Sequence, residues 1–114
     1  MASGRITAGG SSVAVGTGNT TLYIVPNGFY SVFNVSITNQ GTAAVTIRLA
    51  LASTATPGAN DWIEYDTTIA PKGVFERTGL VGQAGLYVVA LSTATSGGGG
   101  VVSATVYGIE TSTT

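Results

Sequence analysis

The stretch from Phe29 to Ala52 contains two long runs in which apolar and polar residues alternate. The apolar residues that share a face are Phe33, Val35 and Ile37 in the first run and Val45, Ile47, Leu49 and Leu51 in the second. A period of two residues is typical of extended backbone with one buried face. The connector, residues 39–42, reads Asn-Gln-Gly-Thr and contains residues that tolerate positive φ. The two runs are therefore predicted to pair as a β-hairpin.

Further short segments with the composition of strands lie before and after this stretch, separated by turns at short spacing. They cover residues 21–25, 61–66, 74–81, 86–91 and 101–109. The prolines Pro26, Pro57 and Pro71 all fall between them, which leaves the strand interiors free of proline. The segment 86–91 is apolar on both faces and is predicted to be a central strand. No window has the apolar stripe of a helix. These features predict an all-β, two-sheet antiparallel β-sandwich of about 7–8 strands, either immunoglobulin-like or jelly-roll.

The length of 114 residues fits one domain. Residues 1–18 are rich in glycine and weakly hydrophobic, so we expect an extended N-terminal arm there. Residues 19–110 are predicted to form a single β-sandwich domain. Residues 111–114 form a polar tail.

The charge content is low. Apolar residues make up 44% of the chain, but charged residues only 8%, against about 25% in an average soluble domain. A neutral surface is compatible with a secreted or highly expressed domain. It is also typical of a surface that is covered by other protein, which is the interpretation we favour, because a net charge of −1 does little to keep free copies apart.

The chain has no cysteine and no histidine, so disulfides, thiolate nucleophiles and histidine-based catalysis or metal ligation are excluded. We predict no catalytic residues, no metal and no cofactor. Only four residues are basic, and they are scattered, so nucleic acid is not expected as a partner. Neither a transmembrane segment nor a signal peptide is recognisable, and we expect synthesis in a cytoplasm and no membrane association.

Asp61, Glu64 and Asp66 form the one carboxylate cluster in the sequence. If the strand is regular, Glu64 and Asp66 share a face about 7 Å apart. A glycosidase pair or a calcium site uses such spacing. A solvated strand edge, where negative charge blocks unwanted pairing, is the interpretation we favour.

Five residues are candidates for an interface: Arg5, Ile6, Arg48, Glu76 and Arg77. Arg48 is an isolated charge on the outer face of the second long run, where an exposed arginine is the favoured interpretation; an interface contact is the alternative, because arginine is enriched in interfaces. Glu76 and Arg77 are neighbours in a strand-like segment, so they point to opposite faces and each is expected to find a partner on another strand or subunit. Arg5 and Ile6 belong to the arm.

Four aromatic residues have two interpretations. Trp62, Tyr65, Phe75 and Tyr87 are compatible with a carbohydrate-stacking platform, but aromatic side chains fill the core of a sandwich far more often, and a core role is favoured. The run from Gly97 to Gly100 is predicted to be a flexible loop, because it lacks the lysine and helix of a phosphate-binding loop.

Several short motifs carry a resemblance in combination. They are Tyr23 to Pro26, Asn34 to Asn39, Ile47 to Ala50, Ile63 to Asp66, Glu76 to Gly79 and Val106 to Glu110. With them the chain resembles small virion structural proteins of tailed bacteriophages, in particular those of marine and cyanobacterial phages. The resemblance covers residues 21–110. It implies a β-sandwich with a capsid decoration, cement or tail-associated role, and transfers no catalytic residue.

We therefore expect a non-enzymatic decoration protein that binds the outer surface of the phage head, with the major capsid protein and further copies of itself as partners. A trimer is expected, because icosahedral shells offer three-fold positions at which each contact is repeated. One alternative is a tail-fibre or tail-tip module that binds carbohydrate or a receptor through the loops 52–60 and 92–100. Another is an enzyme that uses the carboxylate cluster.

Overall fold

A computed structural model of the chain describes residues 3–6, 12–92 and 102–113. Within these residues the chain forms nine strands: β1 (Ser3–Arg5), β2 (Ser12–Ala14), β3 (Thr20–Ile24), β4 (Phe29–Asn39), β5 (Val45–Ala52), β6 (Trp62–Ile69), β7 (Val74–Gln83), β8 (Tyr87–Ser92) and β9 (Val102–Ser112). Two of them, β1 and β2, have only three residues each. The described residues include no helix, and the all-β prediction is confirmed. The glycine run 97–100 lies outside the described residues.

The strands form two antiparallel sheets that enclose one core. Sheet A has the order β1-β9-β4-β7, with β2 also paired to β9, and sheet B has the order β3-β8-β5-β6. The pairs β5–β6, β4–β7, β3–β8 and β2–β9 are nested along the chain and alternate between the sheets. This nesting is the strand order of a jelly roll. The predicted sandwich is confirmed, and of its two possible topologies the jelly roll is the one present.

The predicted hairpin between β4 and β5 is wrong. β4 pairs with β7 and β9 in sheet A, whereas β5 pairs with β6 and β8 in sheet B. Residues 40–44 cross from one sheet to the other. Both runs bury their apolar faces as predicted, because both faces point into the space between the sheets.

The side chain of Asn39 holds this crossing in place. Asn39 is fully buried. Its Nδ2 donates to the carbonyl oxygens of Ala43, Ile69 and Ala70 at 2.9, 3.2 and 3.2 Å. Its Oδ1 accepts from the backbone N–H of Gly41 at 3.0 Å. One amide thus joins the β4–β5 connection to the β6–β7 connection.

The core consists of side chains from both sheets. Phe33, Ile37, Ile47 and Leu49 are completely buried, as their alternation predicted. Leu51 also packs against the core but is only partly buried. β8 lies between β3 and β5, and its neighbouring residues Val88 and Val89 are both fully buried. The prediction of a central strand covered on both sides is confirmed.

The described parts of the segment 1–18 lie along the sandwich. β1 pairs with residues 109–111 of β9, and β2 pairs with residues 103–105 of the same strand. Ile6 and Val15 belong to the core, with 7% and 6% of their surface exposed. Ile6, a candidate for an interface, therefore packs inside its own chain. Residues 1–2 and 7–11 of the predicted arm lie outside the described residues.

Candidate interaction surfaces

The outer face of sheet A carries an apolar patch, which consists of Tyr30, Val32, Val81, Tyr107 and Ile109. Val32 on β4 lies directly opposite Val81 on β7 and Ile109 on β9, so three aliphatic side chains form one row across three strands. Val81 is 62% exposed and Ile109 49% exposed. Exposed apolar side chains that are contiguous in this way make this face a candidate interaction surface.

Polar groups border the apolar patch. The Tyr107 hydroxyl donates to a carboxylate oxygen of Glu76 at 3.1 Å, and this hydrogen bond raises the pKa of Tyr107. Glu76 is thus on the outer face of sheet A. Arg5 lies opposite Ile109 in the register of β1 and β9. Three of the residues predicted as interface candidates, Arg5, Glu76 and Arg77, therefore have backbone positions in the sheet that bears the patch.

The outer face of sheet B carries a different arrangement, the Arg48 cluster, which consists of Arg48, Trp62, Tyr65 and Asp66. The Nε and Nη2 atoms of Arg48 donate to the two carboxylate oxygens of Asp66 at 2.7 and 3.3 Å. The hydrogen bonds from Arg48 lower the pKa of Asp66. The guanidinium also lies 3.9 Å from the centre of the Tyr65 ring. Trp62 meets Tyr65 edge to face, with ring centroids 6.0 Å apart.

A β-bulge builds this cluster. Ile47 is the register partner of Thr67 and Leu49 that of Glu64, so Arg48 alone lies opposite both Tyr65 and Asp66. Asp66 adopts a φ of 55°, which accommodates the additional residue. Because of the bulge, both Tyr65 and Asp66 meet Arg48 on the outer face of the sheet.

The core role that we favoured for the four aromatic residues is therefore wrong for Tyr65 and Trp62. Tyr65 is 58% exposed, and Trp62 is half-buried on the outer face beside the fully buried Ala50, its register partner. Phe75 packs against the core while remaining partly exposed, and Tyr87 is half-buried. The alternation of apolar and polar residues along β6 does not predict these exposures, because the register between β5 and β6 shifts within the strand.

The three carboxylates predicted as a cluster are separated. Asp61 accepts from the backbone N–H of Gly58 at 2.7 Å in a turn. Glu64 forms an ion pair with Arg77 of β7, and Asp66 pairs with Arg48 on the outer face. The prediction that Glu64 and Asp66 share a strand face is wrong, because the bulge lies between them. Among the described residues, no three carboxylates lie close enough together to hold a metal ion.

The ion pair between Glu64 and Arg77 joins the two sheets at one side of the sandwich. Glu64 belongs to the edge strand of sheet B and Arg77 to the edge strand of sheet A. Thr67 donates to the second carboxylate oxygen of Glu64 at 2.9 Å. Arg77, predicted as an interface candidate, thus has a partner on another strand of its own chain.

A buried polar network was not predicted from the sequence. The Tyr23 hydroxyl lies 2.7 Å from Oγ of Ser31 and donates to a carboxylate oxygen of Glu110. Tyr23 is 3% exposed and Ser31 is fully buried. Burial, and then the hydrogen bond to Glu110, raises the pKa of Tyr23 above its ordinary value. The network links β3 of sheet B to β4 and β9 of sheet A.

This network predicts sensitivity to alkaline pH. A group whose pKa is raised by folding stabilises the fold below its unfolded-state pKa, about 10 for tyrosine, and loses that contribution as pH rises further. Tyr23→Phe should therefore be less stable than the native chain at pH 8, with the difference shrinking between about pH 10 and 11. Thermal melts of the native chain and the variant at about pH 8 and about pH 11 measure this difference in stability. Tyr30→Phe is the control. An unchanged difference would contradict the role of the Tyr23 hydroxyl.

Two shallow cavities lie at one end of the sandwich. They measure about 460 and 440 Å³ and share Val81, Gln83 and Ala84 in their walls. The first also contains Asp61, and the second contains Tyr30 of the apolar patch.

The described residues contain no helix of the length and hydrophobicity needed to cross a membrane.

Comparisons with protein-family models, curated proteins and solved structures find no significant match.

Proposed function

We propose that this chain is a non-enzymatic virion structural protein of a tailed bacteriophage, a decoration or cement protein that binds the outer surface of the head. The observation that carries the proposal is the apolar patch on sheet A, with Val81 and Ile109 both about half exposed or more. The motifs that resemble small phage virion proteins supply the phage assignment.

The patch suits a protein that stabilises a shell by covering it. Apolar burial yields about 25 cal/mol per Å², and an interface of about 1,600 Å² is ordinary for stable protein complexes. With 8% charged residues, the chain has few groups whose contribution salt can screen. Binding through the patch should therefore persist over a wide range of ionic strength.

The jelly-roll topology supports the proposal by analogy only. Jelly rolls occur in viral capsid domains, and also in lectins and cupins, and one fold hosts many functions. The functional assignment therefore depends on the surface of the chain. This surface differs between the two sheets. Sheet A offers an aliphatic row, whereas sheet B offers the charged and aromatic Arg48 cluster.

The proposed partners are the major capsid protein and further copies of this chain, as a trimer at three-fold positions of the shell. Three symmetric copies repeat each weak contact, and the linked contacts add through effective concentration. Nucleic acid, a membrane and a cofactor are not among the proposed partners. The proposed site of synthesis is the host cytoplasm, and the proposed position of the assembled protein is the head.

The test uses purified particles and heads that lack the chain. Quantitative mass spectrometry should find hundreds of copies per particle, and heads without the chain should rupture at a lower temperature. Purified native chain should restore the rupture temperature when it is added back. Val81→Glu should bind at least about 100-fold more weakly, because a charge would be buried in the contact. Ala55→Glu, which adds the same charge in an exposed loop, should bind like the native chain.

A few copies per particle, or heads equally stable without the chain, would overturn the decoration role. The second candidate, a tail-fibre or tail-tip module for host-surface binding, would then be favoured. The exposed ring of Tyr65 and the half-buried ring of Trp62 next to it are the observation that supports this candidate. Part of the loop that was expected to take part in such binding, residues 93–100, lies outside the described residues.

A further inference from the structure

We propose that the Arg48 cluster is a binding site for a neutral carbohydrate, which stacks a pyranose ring on Tyr65 beside Trp62. The inference does not depend on the position of the chain in a virion. It uses the outer face of sheet B, whereas the capsid contact is proposed for sheet A.

The geometry of the cluster is fixed by contacts among its own side chains. Arg48 is held at both carboxylate oxygens of Asp66 and over the ring of Tyr65, and Trp62 packs against the same ring in an edge-to-face arrangement. A surface side chain that is already held loses little rotamer freedom when a ligand binds, so less binding energy is spent on ordering it. The cluster is in this sense preorganised, although Tyr65 is 58% exposed.

The exposed groups of the cluster match the chemical groups of a sugar ring. A sugar ring presents apolar C–H groups on one face and hydroxyls around its rim that both donate and accept hydrogen bonds. The Arg48 guanidinium covers one face of the Tyr65 ring, and Tyr65, which is 58% exposed, offers the other face to the sugar. Two of the five N–H groups of the Arg48 guanidinium bond Asp66. The guanidinium lies over one face of the Tyr65 ring, so its other N–H groups and the remaining lone pairs of Asp66 are next to that face, with 28% and 47% of the two side chains exposed.

The net charge of the cluster favours one class of sugar. Arg48 and Asp66 neutralise one another, so the site offers no net attraction to an anionic or cationic ligand. Neutral hydroxyls can bond to both members of the pair without breaking it. We therefore commit to a neutral glycan rather than a sulfated or uronic-acid polymer.

The floor of the site is closed. Ala50 and Val89 face outward beneath the neighbouring side chains and are nevertheless fully buried. A ligand therefore rests on the rings and the ion pair instead of entering the sheet. This surface suits one or two sugar rings, which have about the footprint of the two aromatic side chains.

The experiment uses Trp62, the one tryptophan in the chain, as an internal reporter. The native chain is titrated with cellohexaose, maltohexaose and a chitin oligosaccharide, with dextran sulfate as the anionic comparison. A saturable change in tryptophan fluorescence is expected with at least one neutral probe. Calorimetry with that probe should show binding weakened about tenfold or more in Tyr65→Ala, the loss of about one stacking contact.

Tyr107→Ala is the matched control, because it removes a tyrosine 42% exposed on the opposite sheet. It should bind the probe like the native chain, and thermal melts should show that both variants are folded. The inference is overturned if no neutral probe gives a saturable change, if only dextran sulfate binds, or if Tyr65→Ala binds as tightly as Tyr107→Ala. None of these results bears on the capsid contact, which is measured separately with Val81→Glu.

Discussion

Replacing Gly108 with alanine is expected to destabilise the folded structure severely. Gly108 lies in β9 opposite Phe33 of β4 and has a φ of 152°. A Cβ atom there would lie 2.1 Å from the carbonyl oxygen of Val32 and 2.7 Å from Cα of Phe33. Both are backbone atoms of the adjacent strand, so no side-chain rotation can relieve the clash. The two strands would have to separate along a pairing that extends from Phe29 to Asn39.

The expected loss exceeds about 4 kcal/mol, which is the range of exceptional single substitutions. Urea unfolding followed by circular dichroism measures it, and failure to express in soluble form is the extreme outcome. Gly18→Ala is the control, because a Cβ at Gly18 has no neighbour within 4 Å. Gly79→Ala should fall between them, at about 1–2 kcal/mol, since its φ of 73° is strained for alanine but its surroundings are open. A Gly108→Ala protein as stable as Gly18→Ala would show that β4 and β9 do not pair in this register.

Asn39→Asp is expected to produce the second large effect, although it changes a single amide nitrogen to oxygen. Nδ2 of Asn39 donates to three carbonyl oxygens inside the protein. A carboxylate in its place would face those oxygens without a proton to share. The cost of burying an unpaired charge there should be about 3 kcal/mol or more.

The pH dependence of this variant separates charge from shape. Burial against carbonyl oxygens raises the pKa of a carboxyl group. A raised pKa in the folded state means that the protonated form is favoured by folding, so the variant should regain stability as pH falls from 7 towards about 4. Unfolding in urea at both pH values measures the recovery relative to the native chain.

The control is the same chemical change at the next residue. Gln40 is exposed, and Gln40→Glu should alter stability by less than about 0.5 kcal/mol at either pH. If Asn39→Asp behaved like Gln40→Glu, the crossing between the sheets would not depend on the buried amide.

The sequence predicted which side chains are buried better than it predicted which strands are neighbours. Alternation identified the core faces of β4 and β5, because a side-chain period of two depends only on extended backbone and one buried side. The partner of a strand depends on residues far along the chain. Turn-forming residues such as Asn39 and Gly41 serve a tight hairpin and a crossing between sheets equally well, and the hairpin was therefore predicted wrongly.

The candidate surfaces were predicted only in part. Arg48 was correctly predicted to lie on an outer face. Its contacts with Asp66 and Tyr65 depend on a bulge, which no local sequence pattern predicts. Val32 lies on the face of β4 opposite to the buried Phe33, where the alternation of the strand predicts polar residues. Apolar residues at outward positions of several strands are the signal for the patch, and it becomes visible only when the strand order is known.

The nested pairing of the strands has a consequence for synthesis of the protein. The innermost pair, β5–β6, closes only the short segment 53–61, whereas β9 joins residues near the two ends of the described chain. Short loops close at a lower entropic cost than long ones, so the strand pairs are expected to assemble from β5–β6 outwards. β9 also lies inside sheet A, between β4 and the β1 and β2 segments. A nascent chain on the ribosome therefore exposes the unpaired edge of β4 and an incomplete core until Ser112 has emerged, and a slow or truncated translation product would aggregate before it could assemble.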